Sequence, residues 1–106
     1  MAREKFQTLT EQMFYILLCL RQECCGADIM EQTARMTAGR VVIGPGTLYS
    51  LLESFQQEGY IQETRVEGRK RSYQITVRGR LRLEEEVRRL RQQIEDFEHF
   101  GGRDRP

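Results

Sequence analysis

The side chains best suited to chemistry in this sequence fall into two short sets: three consecutive cations, Arg69, Lys70 and Arg71, and a hydroxyl-bearing run, Thr47, Tyr49 and Ser50. Guanidinium and ammonium groups attract phosphate whatever the base sequence, and short hydroxyl side chains donate to phosphate oxygens or base edges. The pairing points to nucleic acid. The inventory for catalysis is bare: one histidine, His99, lies near the C-terminal end, and there is no nucleophile motif, no G-x-x-x-x-G-K phosphate loop and no convergent carboxylate pair. Glu84, Glu85 and Glu86 stand in a charged stretch that needs no catalytic explanation. Neither an enzyme nor a cofactor is expected.

Three cysteines, Cys19, Cys24 and Cys25, crowd into seven positions, an odd number that argues against the disulfide framework of a secreted domain. Free thiols in a reducing compartment fit better. With no C-x-x-C spacing and no companion histidine nearby, no metal site is expected. Cys19 reads as a small core residue, and Cys24 and Cys25 fall in the connection after it.

Seventeen Lys and Arg against sixteen Asp and Glu leave a formal charge of +1, but the distribution is uneven. Residues 1–60 hold five basic and seven acidic side chains, whereas residues 65–82 hold seven basic ones (Arg65, Arg69, Lys70, Arg71, Arg78, Arg80, Arg82) against Glu67 alone. Local positive charge is what a phosphate-binding face requires.

These groups need elements to position them. A chain of 106 residues, 39% hydrophobic and 31% charged, has room for one domain and a short appendage, and it is slightly polar for a self-contained globule. The longest apolar run, Met13–Leu20, is well short of the ~20 residues that span a membrane. The polar start of the sequence fits a signal peptide poorly, so a cytoplasmic location is expected.

Thr8 with Glu11 predicts a capping box opening a helix over about Leu9–Gln22, too apolar all round for a surface helix. A second helix follows Gly26 and ends before Gly39, and the β-branched run Arg40–Ile43 predicts a minimal strand. Pro45 restarts a helix at its first position. Leu48, Leu51, Leu52 and Phe55 line its buried side, leaving a small, hydroxyl-rich face of Gly46, Ser50, Glu53 and Gln57 flanked by Thr47, Tyr49 and Ser54. Glu53 on that face either reads a cytosine amino group or stays clear of phosphate.

Residues 60–66 and 72–76 predict two strands joined through Gly68, with the cations at the tip of the hairpin. Three helices followed by a hairpin is the winged helix-turn-helix plan. Thr76 caps a fourth helix from about Val77 to Phe97, on which Leu83, Val87, Leu90, Ile94 and Phe97 are spaced 4, 3, 4, 3 as in a short coiled coil. Little apolar surface in one small chain is left to cover that seam, so homodimerisation is expected.

The stretches Cys25–Ile29, Gly44–Leu52, Glu58–Ile61 and Gly68–Thr76 with Gly79 resemble the PadR family of bacterial transcriptional regulators, over most of residues 9–80. The single C-terminal helix is similar to that of the family's compact branch. The resemblance implies a dimer, usually a repressor, whose third helix enters the major groove through Thr47, Tyr49 and Ser50. It implies that Arg69, Lys70 and Arg71 approach the backbone or minor groove. It also implies a cleft at the dimer centre that takes a small aromatic or hydrophobic effector, here lined by Phe14, Tyr15, Leu18, Phe97 and Phe100.

The expected architecture is therefore mainly α with a small β-hairpin. Residues 1–76 form a winged helix-turn-helix domain, 77–100 a dimerisation helix and 101–106 a disordered tail. The expected partners are a pseudo-palindromic double-stranded DNA operator and a second copy of the chain, with no membrane. The alternative is a winged-helix adaptor that binds protein and no DNA, since fold alone does not fix function.

Overall fold

The computed structural model describes residues 8–101, so residues 102–106 of the expected tail, like 1–7, lie outside the described residues. The chain runs α1 (Glu11–Cys19), β1 (Cys24–Cys25), α2 (Gly26–Met36), α3 (Pro45–Gln57), β2 (Ile61–Glu67), β3 (Lys70–Ile75) and α4 (Val77–Asp96), closing with a π-helical turn over Phe97–Gly101. This is the mainly helical winged plan that the sequence predicts.

The cap of α1 is Thr10, whose hydroxyl accepts the Met13 N–H at 3.2 Å, and not Thr8. The shift follows from Leu9, which is buried and donates its N–H to Glu86 Oε1 at 3.2 Å, holding the chain outside the helix until one residue later. The expected strand at Arg40–Ile43 is absent as well. Val41 and Ile43 are buried, yet the Val41 N–H goes to the Thr37 hydroxyl at 3.0 Å and the Val42 carbonyl accepts from Gln12 Nε2 at 3.3 Å. Side chains satisfy these backbone groups, so no ladder is needed. The third strand of the sheet is instead Cys24–Cys25, an edge strand that pairs antiparallel with β3, Cys24 opposite Tyr73 and Cys25 opposite Ser72.

The sheet order is β1-β3-β2. Gly68, at φ +62°, is the first of two residues turning β2 into β3, where a primed hairpin turn needs a positive φ. The pairing slips by one residue between Glu63 and Arg65, a bulge that leaves Thr64 unpaired. Lys70 and Arg71 accordingly belong to the start of β3, and only Arg69 of the three cations sits in the turn.

Ile16, Leu17 and Leu20 of the first helical segment, Ile29 of α2, Leu48, Leu52 and Phe55 of α3, Tyr60, and Tyr73 and Ile75 of β3 close one core. Thr76 caps α4 by accepting the Gly79 N–H at 3.1 Å. Leu83 of α4 also belongs to this core, whereas residues 90–100 of the same helix and its terminal turn are exposed. The helix thus starts inside the domain and leaves it.

Candidate nucleic-acid interface

Pro45 sets the start of α3, and the three core residues on its buried side fix its rotation. Thr47, Tyr49, Ser50 and Glu53 are exposed as a result. Tyr49 is half-exposed, at 50%, because one side of its ring lies against the first residue of α2. The hairpin stands beside α3. Tyr49, Gly26, Asp28, Arg69, Lys70 and Arg71 line one groove of about 770 Å³, so the tyrosine and all three wing cations border the same space. Thr47 and Ser50 are exposed on the same helix but do not line the groove.

The three cations are not equivalent. Arg71 Nη1 donates to Glu63 Oε2 at 2.7 Å, and that hydrogen bond and charge raise the pKa of the guanidinium. Glu63 lies opposite Tyr73, one diagonal step from Arg71 across the ladder. Arg65 is engaged too, with Glu23 at 3.7 Å and Glu67 at 3.8 Å. Among the described residues Arg69 and Lys70 form no ion pair, which leaves their charge available to an anion. Sequence reasoning missed Glu63. Its opposite charge was a signal, but the bulge decides which residue it faces.

The three cysteines are buried free thiols. Burial, then the neighbouring Cys19, Asp28 and Cys25, push the Cys24 thiol up to about 12. Burial also raises Cys19, whose Sγ lies 3.6 Å from the Thr33 hydroxyl. Both stay protonated and are poor ligands or nucleophiles. Among the described residues no group of His, Cys, Asp and Glu could hold a metal ion.

On α4 the expected seam divides. Leu83 is 5% exposed and is taken up by its own chain's core, while Leu90, Ile94 and Phe97 are 38%, 56% and 71% exposed and Val87 is half-buried. At the junction of α4 with α1, Glu86 is buried between Arg82, 3.7 Å away, and Arg89, and it accepts the Leu9 N–H. Burial pushes the Glu86 carboxyl up, but the Arg89 hydrogen bond, the Leu9 N–H and the two positive charges outweigh it, and the group titrates below the usual range. Beside this cluster Phe14 and Tyr15, stacked edge to face, line a recess of about 200 Å³ with Leu90. Of the other residues expected in an effector cleft, Leu18 faces a different recess, and Phe97 and Phe100 line neither.

A helical trio whose third member carries an exposed polar face beside a basic hairpin defines a winged helix-turn-helix protein. Residues 16–85 match the Transcriptional regulator PadR-like family, and the chain belongs to that family. It is a transcriptional regulator and not an enzyme.

Among solved structures, a transcriptional regulator from Clostridium thermocellum is 22% identical, with a TM-score of 0.73 over 85% of this chain and 91% of that one. A PadR-like transcription factor from Bacteroides fragilis is 23% identical, with a TM-score of 0.68 over 81% and 85% of the two chains. Bacillus subtilis PadR, solved in complex with operator DNA, is 24% identical, with a TM-score of 0.62 over 70% of this chain and 45% of that one. These likenesses show the fold. No curated protein matches the chain. Among the described residues no helix is long and apolar enough to cross a membrane.

Proposed function

We propose that the protein is a homodimeric, sequence-specific DNA-binding repressor. The observation that carries this reading is the shared groove, in which Tyr49 of α3 meets two unpaired cations of the wing. α3 lies in the major groove with Thr47, Tyr49 and Ser50 toward phosphates and base edges, and Arg69 and Lys70 follow the backbone or enter the minor groove. Arg71 contributes less, because Glu63 already holds it. That Bacillus subtilis PadR has been solved on operator DNA supports the same use of the fold.

Leu90, Ile94 and Phe97 form an exposed apolar stripe on α4, and a second copy of the chain is the partner that buries it. Two α3 helices about 34 Å apart then meet successive major grooves of a pseudo-palindrome. Residues 8–76 act as the DNA-binding unit and 77–100 as the dimerisation helix. The α1–α4 recess is smaller than the ~300 Å³ at which ligand pockets begin, so a flat aromatic effector requires the second copy to enclose it.

Titration of fluorescently labelled DNA from the protein's own upstream region, against scrambled duplex at the same salt, tests the reading. Nanomolar binding to one duplex and roughly micromolar binding to the other is expected. Equal affinity for both would overturn sequence-specific regulation. Loss of a protein partner on reversing the charges of Arg69, Lys70 and Arg71, with no change in DNA affinity, would favour the adaptor.

A further inference from the structure

Gly26 opens α2, and its φ lies outside the left-handed region, so the backbone makes no demand for glycine there. Space does. A Cβ built on Gly26 would stand 2.5 Å from Tyr49 Oη and 2.9 Å from Cζ, nearer than a Cβ comes to any neighbouring atom, and a tight 3.0 Å from Cε1. The phenol therefore rests in the volume that any other residue at position 26 would fill. Its hydroxyl has no hydrogen-bond partner among the described residues, and it opens on the groove that Arg69 and Lys70 also line.

We propose that Gly26 is a positioning residue for DNA binding: its missing side chain lets the Tyr49 ring lie against the start of α2, which sets the free hydroxyl, in the groove that Arg69 and Lys70 also line, to donate to a backbone phosphate. The inference rests on the reading that the α3 and wing face meets DNA. It gives the groove an occupant whose chemistry matches its lining, a phosphate backbone met by one hydroxyl and two cations, while the Asp28 carboxylate accepts from the Cys25 N–H and thiol. Gly26 itself touches no DNA.

The collision is with the far end of a half-exposed side chain, so Gly26→Ala displaces the ring without rebuilding the core. The test is a double-mutant cycle in the full-length protein, reading DNA affinity by fluorescence anisotropy and stability by thermal unfolding. Tyr49→Ala and Gly26→Ala are each expected to weaken binding about tenfold per half-site, the loss of one hydrogen bond to a charged group. The double variant should bind no more weakly than Tyr49→Ala alone.

Stability should change sign between backgrounds. Alanine is the better helix former, so Gly26→Ala raises the melting temperature once Tyr49 is gone and does not raise it while the ring is present. If Gly26→Ala leaves affinity intact while Tyr49→Ala weakens it, or if the two losses multiply, the positioning role is wrong. If Tyr49→Ala leaves affinity intact, the phosphate contact itself is wrong and the proposal falls with it. Should Gly26→Ala fail to fold, Tyr49→Ala in the same chain must restore folding, and failure to do so overturns the proposal.

Discussion

Replacing the wing cations one at a time separates charge that is available from charge that is already engaged. Each phosphate neutralised on duplex DNA adds about 0.9 to the slope of log affinity against log salt. A dimer carries two wings, so Lys70→Ala removes two contacts and should lower the slope by ~1.8. Arg69→Ala with Lys70→Ala should lower it by ~3.6, so that raising salt from about 50 to about 200 mM costs the double variant ~150-fold less affinity than it costs the parent. Arg71 is 2.7 Å from Glu63, and its replacement should change the slope by less than half as much as Lys70→Ala. Glu63→Gln should do the reverse, releasing Arg71 and steepening the slope. Anisotropy titrations at four salt concentrations with one operator duplex measure all of these. A slope change for Arg71→Ala equal to that for Lys70→Ala, or an unchanged slope for the double variant, would refute the division of labour read from the ion pairs.

Three further outcomes are expected. Glu86→Gln leaves Arg82 and Arg89 around a buried site and should cost about 3 kcal/mol in urea unfolding. Because the folded-state pKa of Glu86 is depressed, its contribution is complete above the ordinary glutamate range and is lost as pH falls through the lower folded value; Glu86→Gln should flatten that acid limb. Replacing Leu90, Ile94 and Phe97 together with polar residues should leave a folded monomer by analytical ultracentrifugation, whereas a dimer surviving all three changes would place the interface elsewhere. Glu53→Gln should move one base preference in each half-site from cytosine toward adenine in a binding selection, and an unaltered selected sequence would remove Glu53 from the base-reading set.

Much of this architecture is legible in residue order because each element carries its own signal. Pro45 and the spacing of Leu48, Leu52 and Phe55 define α3, and Gly68 between β-rich runs defines the hairpin. What is not legible depends on partners distant in sequence. Arg40–Ile43 has the composition of a strand, but Thr37 and Gln12 claim its backbone groups, while Cys24–Cys25 forms a strand only because β3 passes beside it. Leu83 fits a heptad as well as Leu90 does, and only the course of α4 across the core assigns them to different surfaces. The site divides in the same way. The cations and hydroxyl residues can be read from their types, but Glu63 and Gly26 matter through three-dimensional neighbours.

The order β1-β3-β2 leaves the small sheet with two open margins. One is only two residues long, too short to template another strand, and the other carries Glu63, Arg65 and Glu67 and is bent by the bulge at Thr64. Both are poor docking edges for the backbone of a neighbouring molecule. Neighbouring copies are thereby poorly placed to extend one another's sheets into a cross-β stack through their hairpins.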